Sequence, residues 1–201
     1  MSRYCFKCGK STKACICQWI RSLSSNVELI ILQHPTEAKK PMGTAKILQL
    51  SLTGCYLFQG EDFTQHEKLN HLLSDDAYRH FILYPSDESF SLTLVKETLH
   101  NQKKVRILLL DGTWKKAYKI WKLSKNLKSL PIVHLPKNLK GNYRIRKAPS
   151  DNSLSTVEAG YHVLSLLEPE RNFSSLLDTF NHMIDFQIKN MPPGTFEKNY
   201  S

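Results

Sequence analysis

The chain has 201 residues, of which 41% are apolar and 23% are charged. This length and composition fit one folded domain with a short appendage and exclude an intrinsically disordered chain. Lys and Arg total 28 against 18 for Asp and Glu, which gives a formal net charge of +10. Such an excess favours a polyanionic partner, and nucleic acid is the leading candidate.

Neither a membrane span nor a secretory signal is visible in the sequence. The longest aliphatic runs, 29–32 and 107–110, have the length of strands, whereas a span needs about 20 residues. Residues 1–10 lack the apolar stretch of a signal peptide. We therefore expect a cytoplasmic protein without a membrane partner.

Four of the five cysteines crowd near the N-terminus in the pattern C-x2-C-x6-C-x-C, formed by Cys5, Cys8, Cys15 and Cys17. In a reducing compartment such a cluster favours a metal over disulfides, and four thiolates close a tetrahedral Zn²⁺ site. We predict a structural zinc knuckle in residues 1–24, with Gly9 in its turn. A redox pair or unliganded cysteines are the alternatives. Cys55 is interpreted as a small buried hydrophobic residue.

Residues 25–201 alternate between strand-like and helix-like segments. Short β-branched and aliphatic runs predict strands at 27–32, 55–58, 81–84, 105–110 and 131–135. Helical spacing of apolar residues predicts helices at 47–52, 66–73, 91–100, from 114, from 155, and at 173–184. Because several strands are apolar on both faces, we predict one α/β domain whose mostly parallel sheet carries helices on both faces.

Ligands of such sheets bind beyond the carboxyl ends of the strands. The segments at these ends are 34–37, 85–86, 111–114 and 135–136. Since parallel strands end at the same edge, we expect the four segments to line one rim, which is the candidate site.

Asp111 directly follows the clearest strand and has two interpretations. Its carboxylate can cap the helix that starts near Thr113, or it can take a proton or orient a ligand at the rim. Gly112 permits close approach of the backbone to a ligand. Trp114 has two interpretations as well. Its ring either offers a flat surface to a ligand or packs in the core as the first apolar residue of the helix.

Two segments concentrate positive charge. The helix from Trp114 is predicted to place apolar residues on one face and lysines on the other. The apolar set is Trp114, Ala117, Tyr118 and Trp121, and the basic set is Lys115, Lys116, Lys119 and Lys122. The segment 142–149 interleaves a tyrosine with basic residues, which suits phosphates and stacked bases.

Other polar residues have structural interpretations. Ser155 and Glu158 have the spacing of a capping box, so capping is the first role of Glu158 and catalysis the second. His34 and Glu37 are weak signals alone.

The sequence contains no G-x-G-x-x-G motif, P-loop, G-x-S-x-G elbow or H-E-x-x-H motif, which disfavours standard nucleotide-binding, hydrolase and metalloprotease sites.

Five motifs in order resemble the DTW-domain family. The central one is the D-x-T-W tetrapeptide at 111–114. The others are the cysteine cluster, 34–37 with 43–45, 143–149 and 155–159. A lone D-x-T-W is a weak signal, but the ordered set covers nearly the whole chain.

The resemblance implies a tRNA-uridine aminocarboxypropyltransferase, similar to the rRNA aminocarboxypropyltransferases and related to the SPOUT methyltransferases. It implies a SPOUT-like sheet with a C-terminal trefoil knot, which is an exception to the usual connection rules. The reaction moves the 3-amino-3-carboxypropyl group of S-adenosylmethionine to N3 of a uridine in tRNA, and methylthioadenosine leaves.

The resemblance also assigns expected roles to residues of the rim. Asp111 is the candidate base, or it orients the cofactor. The expected cofactor-binding residues are Leu110, Gly112, Thr113, Trp114, Leu135, Pro136, Arg146, Ser155, Thr156 and Glu158. The expected RNA-binding residues are Lys115, Lys119, Lys122, Tyr143, Arg144, Lys147 and His34. The basic residues at 144, 146 and 147 can pair with the carboxylate of the cofactor or with RNA phosphate.

Two other functions stay open from the sequence. One is a zinc-bearing RNA-binding protein without catalysis, and the other is a SPOUT-type RNA methyltransferase. No obligate protein partner is implied.

Overall fold

The computed structural model describes residues 3–99, 104–137, 139, 141, 144 and 154–200. Six strands form one sheet: β1 (Val27–Gln33), β2 (Cys55–Gln59), β3 (Tyr78–Leu83), β4 (Phe90–Ser91), β5 (Lys104–Asp111) and β6 (Ile132–His134). Their order is β2-β1-β5-β3-β6-β4, and all the pairings between these strands are parallel. The predicted parallel α/β architecture is confirmed.

Helices cover both faces of the sheet. They are α1 (Pro35–Ala38), α2 (Ala45–Ser51), α3 (Glu67–Leu73), α4 (Leu92–Leu99), α5 (Trp114–Leu123), α6 (Thr156–Leu167), α7 (Ser174–Lys189) and α8 (Thr195–Tyr200). Leu29 and Ile31 of β1 pack in the core that includes α2, α4, α6 and α7. Ile30 and Leu32 of the same strand pack in the core that includes α3 and α5. Successive side chains of a strand point to opposite faces, so both cores require the continuous apolar run.

Three short elements were not predicted. The expected helix at 91–100 begins at Leu92 instead, and Ser91 belongs to β4, which pairs with β6. The backbone N–H of Thr93 donates to Ser91 Oγ at 3.4 Å, so Ser91 lies beside the first turn of the helix. α1 and α8 have four and six residues, too few for a helical period to be recognisable.

The trefoil knot expected near the C-terminus stays a prediction. Between Pro136 and Leu154 the structure describes only residues 137, 139, 141 and 144. Within the described part of the chain, no helix is both long and apolar enough to cross a membrane.

The N-terminal segment packs on the sheet domain. Cys8 and Ile16 are buried in the same core as Leu29. Trp19 stacks on His182 of α7 with ring centroids 3.7 Å apart. The division into a knuckle at 1–24 and a catalytic domain at 25–201 stays a prediction, but the two parts share one core.

The central strand gives a direct test of this architecture. Leu108 of β5 is fully buried, so Leu108→Ala leaves a cavity and should lower the free energy of unfolding by about 2–5 kcal/mol. Leu94→Ala, at a 49% exposed position, should change it by less than about 0.5 kcal/mol. Urea denaturation measures both values. Equal stability of the two variants would contradict the central position of β5.

Candidate functional site

Two adjoining cavities open at the carboxyl end of the sheet. The first has a volume of about 390 Å³ and the second about 740 Å³, within the range of small-molecule sites. They share five lining residues, Leu83, Leu110, Gly112, Leu154 and Ala159. The ends of β3, β5 and β6 and the loop after β1 all contribute to their walls, so the predicted rim is confirmed.

The carboxylate of Asp111 lies in the wall of the first cavity, and Asp111 is 9% exposed. Gln33 Nε2 donates to Oδ2 at 2.7 Å, and Thr156 Oγ1 donates to Oδ1. Parallel pairing of β1 with β5 places Gln33 opposite Asp111. The capping interpretation of Asp111 is wrong, because Thr113 is the N-cap residue of α5.

Burial raises the pKa of Asp111 above its usual range. The hydrogen bonds from Thr156 and Gln33 act in the opposite direction, since they stabilise the charged form. The negative charge of Glu37 adds to the increase. The carboxylate is therefore more basic than an exposed aspartate would be.

A cluster of charged side chains, with Glu37 of α1 at its centre, lies beside the same cavity. Glu37 Oε2 accepts from Lys40 Nζ at 2.8 Å, and its Oε1 accepts from Lys116 Nζ at 2.8 Å. Glu37 and Lys40 line the first cavity, and Lys40 is half exposed. Sequence reasoning missed Lys40, because this residue lies in the loop after α1 and outside any motif, and it placed Lys116 only on a basic face.

The loop between α1 and α2 forms a further wall of the first cavity, through Met42, Gly43 and Thr44. Val157 N–H at the start of α6 donates to Thr44 Oγ1 at 3.3 Å. On the other side, Lys10 of the knuckle is buried, and its Nζ donates to the carbonyls of Pro41 at 2.6 Å and Gly43 at 3.2 Å. The knuckle is thus fastened to the cavity wall.

The start of α6 contributes Ser155 and Thr156 to the first cavity. Glu158 N–H donates to Ser155 Oγ at 3.4 Å, and Ser155 N–H donates to Glu158 Oε2 at 2.8 Å. The predicted capping box is confirmed. Glu158 is buried and is not among the lining residues of either cavity, so the structure gives it a supporting position.

The second cavity is lined by aromatic and apolar groups together with a few polar atoms. Its walls include Tyr84, Trp114, Leu135 and Pro136, and the Trp114 ring lies edge-on to Tyr84 at 6.3 Å. Ser86 also lines this cavity, and its Oγ is buried without a hydrogen-bond partner in the described part of the chain. Such an atom is suited to a ligand that brings its own donor or acceptor.

The expected apolar face of α5 is only partly correct. Ala117 and Ile120 are buried, whereas Trp114 is 49% and Tyr118 is 47% exposed. The aromatic pair lies beyond the edge of the core cluster that includes Ile120. Of the two interpretations of Trp114, the exposed flat surface is therefore confirmed and the core position is wrong.

The expected RNA-binding residues lie in different settings. Lys115, Lys119 and Lys122 are exposed on α5, and Lys119 pairs with Glu61 at 2.6 Å. Arg144 pairs with Asp185 of α7. Tyr143, Lys147 and the expected cofactor residue Arg146 lie outside the described residues.

His34 differs from the lysines of α5, because its side chain is buried. Nδ1 accepts from the N–H of Thr36 at 3.3 Å and caps α1, while Nε2 lies 2.6 Å from Glu61 Oε1. These contacts give His34 a supporting role in the loop after β1. Its contact with RNA stays a prediction.

The four clustered cysteines could hold a metal ion, since their Sγ atoms all lie within 4.8 Å of one another. Cys5 and Cys17 are 3.7 Å apart at sulfur, and Cys8 and Cys15 are 3.8 Å apart. A tetrahedral site with Zn–S bonds of about 2.3 Å has sulfurs about 3.8 Å apart. Gly9 has φ +72°, as expected for the turn.

The sulfur of Cys5 lies in an environment that favours thiolate. Backbone N–H groups of Cys8 and then Lys7 lower the pKa of Cys5 to about 6. Thiolate is the form that binds metal. By contrast, Cys55 is half-buried against the main core, and burial raises its pKa to about 12.

The chain matches the DTW domain over residues 2–188. It is 32% identical over 197 residues to tRNA-uridine aminocarboxypropyltransferase 2 of Drosophila melanogaster, and the aligned region covers 92% of this chain and 75% of the fly protein. The mouse (Mus musculus) protein of that name is 26% identical over 203 residues, 98% of this chain and 67% of its own length. tRNA-uridine aminocarboxypropyltransferase A of Arabidopsis thaliana is 24% identical over 217 residues, 94% of this chain and 82% of its own. No solved structure matches the chain.

The raised pKa of Asp111 has a consequence for stability. The folded state binds this proton more tightly than the unfolded state, so stability falls as pH rises from about 3.8 through the folded-state pKa. Asp111→Asn should therefore raise the melting temperature at pH 7, at about 2–4 °C per kcal/mol for a chain of this size. The gain should shrink towards pH 4.

Thermal unfolding between pH 4 and pH 8 measures this difference. Asp76→Asn, at an exposed position, is the matched control and should leave the pH dependence unchanged. A lower melting temperature of Asp111→Asn at pH 7 would show that the carboxylate stabilises the fold, contrary to this expectation.

Proposed function

The chain belongs to the DTW domain family, and from this premise we propose that it transfers the 3-amino-3-carboxypropyl group of S-adenosylmethionine to N3 of a uridine in tRNA. The names of its relatives support this reaction class. The single observation that carries the proposal is the buried carboxylate of Asp111 in a cavity that adjoins a second, larger one.

In this proposal each of the two cavities binds a different reactant. The second cavity has the volume and the apolar and aromatic walls for the adenosyl part of the donor, and Ser86 Oγ offers it a buried polar contact. Leu135, Pro136 and Trp114 are the candidate wall residues. The first cavity receives the uracil ring, and the residues common to both cavities, Leu110 and Gly112 among them, lie where the reactants meet.

When bound, the sulfonium donor supplies an electrophilic carbon and a good leaving group. The protein must then supply orientation and a proton acceptor. Uridine N3 carries a weakly acidic proton, which Asp111 takes as general base. Gln33 and Thr156 fix one hydrogen bond on each carboxylate oxygen, which holds the plane of the carboxylate and leaves lone pairs for the N3 proton.

Besides Lys137, which lines the second cavity, Lys40 is a described candidate to pair with the carboxylate of the donor. It lines the first cavity, is half exposed, and is held by Glu37. Arg144 is engaged by Asp185, so pairing with the donor would require that contact to break. Arg146 and Lys147 remain alternatives for this carboxylate or for RNA phosphate.

The surface beside the cavities is suited to RNA. Exposed lysines of α5 follow directly after the 111–114 segment and can bind phosphates without reading sequence. An unstacked loop uridine is the expected target, because single-stranded nucleotides can reach a recessed site. We place the reaction in the cytoplasm and zinc in the cysteine cluster.

Transfer with two labelled donors tests the reaction. With tRNA as acceptor, label in the carboxyl group of S-adenosylmethionine should enter RNA, and label in the methyl group should stay in methylthioadenosine. Methyl label in RNA would make the protein a methyltransferase. Binding of tRNA without transfer or donor binding would make it an RNA-binding protein.

Removal of the carboxylate tests its role as base. Asp111→Asn should lower kcat by about 10²- to 10⁴-fold, the usual contribution of a general base, while tRNA affinity stays within about twofold. Single-turnover transfer and filter binding measure the two quantities, and Asp76→Asn is the matched control. Undiminished turnover in Asp111→Asn would refute the base assignment.

Metal content tests the knuckle. Purified protein should carry one Zn²⁺ per chain, and Cys8→Ser should lose it because three thiolates are left for a four-ligand site. Cys55→Ser should retain it, since Cys55 lies outside the cluster. Plasma mass spectrometry gives the ratio, and metal-free wild-type protein prepared under reducing conditions would exclude the zinc assignment.

A further inference from the structure

Phe6 of the knuckle is fully exposed, and the proposed chemistry does not use it. We propose that the knuckle is a second tRNA-binding surface, on which Phe6, assisted by Tyr4, stacks unpaired nucleotides of the substrate. This inference rests on the proposed function for the identity of the RNA. It adds a binding surface distinct from the cavities and from α5.

Exposure is the first observation. Phe6 is 102% exposed and Tyr4 is 64% exposed. Phe6 lies between two of the clustered cysteines, in the turn that joins Cys5 to Cys8. Burying it would gain roughly 1.5–3 kcal/mol, yet the fold leaves the whole ring in water. A fully exposed aromatic ring is available to stack on a base of a bound nucleic acid.

Charge identifies the class of partner. Residues 1–24 contain five basic residues, Arg3, Lys7, Lys10, Lys13 and Arg21, and no Asp or Glu. Lys10 is buried against the loop at 41–43, whereas Lys7 and Lys13 are exposed. A surface of one sign around an exposed aromatic ring is the combination that binds single-stranded nucleic acid, because cations contact phosphates while the ring stacks on bases.

Position connects this surface to the site. Lys10 fastens the knuckle to the carbonyls of Pro41 and Gly43, and Gly43 lines the first cavity. Phe6 is four residues from Lys10, so their Cα atoms are at most roughly 14 Å apart. In this proposal, nucleotides that neighbour the uridine in the first cavity contact the ring.

Local hydrogen bonds hold the turn in shape. Cys5 N–H donates to the Lys10 carbonyl at 2.8 Å, and Gly9 N–H donates to the Cys5 carbonyl at 2.8 Å. The cysteine cluster brings the same segment together through its sulfurs. A ring on a pre-ordered turn loses little conformational entropy on binding, so more of the stacking energy appears as affinity.

The test compares tRNA affinity among variants without donor present. Phe6→Ala should weaken binding about 5- to 100-fold, the range expected for one lost base stack, and Phe6→Trp should restore it. Leu94→Ala removes an exposed apolar side chain from α4 and should have no effect. Metal content, melting temperature and affinity for S-adenosylmethionine should match wild type in all three variants.

Salt dependence separates stacking from charge. Phe6→Ala should leave the slope of log affinity against log salt unchanged, whereas Lys7→Ala with Lys13→Ala should reduce it, since each lost phosphate contact lowers the slope. Tyr4→Ala should weaken binding in the same way as Phe6→Ala, to a smaller extent.

Three results would overturn the proposal. One is unchanged tRNA affinity in Phe6→Ala with metal retained. Another is an affinity loss that Phe6→Trp does not restore. The third is a change in oligomeric state of Phe6→Ala by light scattering, which would assign the ring to self-association. Because binding is measured without transfer, these results are independent of whether the aminocarboxypropyl group is the one transferred.

Discussion

The hydrogen bond between Gln33 and Asp111 joins the neighbouring strands β1 and β5 at their carboxyl ends, and the site depends on it. Parallel pairing of β1 with β5 sets these two residues opposite each other. Both strands are buried on their two faces, so the register is fixed by the core and carries the carboxylate to the end of the sheet. Thr156 completes the arrangement from α6. The fold thus places a charge where burial raises its pKa, which costs stability and increases basicity.

One buried ammonium group, that of Lys10, couples the knuckle to the wall of the first cavity. Lys10 binds two carbonyls of the loop that forms a wall of the first cavity. Thr44 of that loop accepts a hydrogen bond from the Val157 N–H at the start of α6. The knuckle, the loop and the capping box therefore support the same cavity from three parts of the chain. Exposed positive charge lies on the lysines of α5 and on basic residues of the knuckle. The carboxylate of Asp111, by contrast, is buried.

Much of this architecture could be predicted from residue patterns. The strands β1, β5 and β6, the capping box at Ser155 and the rim at the strand ends follow from local apolar runs and turn chemistry. The contacts of Asp111 could not, because its hydrogen bonds to Gln33 and Thr156 cross 78 and 45 residues of sequence. Gln33 could have been recognised as a site residue because it is a polar residue at the end of an apolar strand. Helical spacing left the position of Trp114 open, since periodicity places a residue on a face without showing where the core ends.

Nucleoside analysis of cellular tRNA tests the central claim most directly. Mass spectrometry should show one uridine that is heavier by an aminocarboxypropyl group in wild-type cells and unmodified in cells lacking the gene. Expression of the wild-type chain should restore the heavier nucleoside, and the Asp111→Asn chain should not. An unchanged nucleoside profile in the deletion strain, or a difference of one methyl group, would contradict the account.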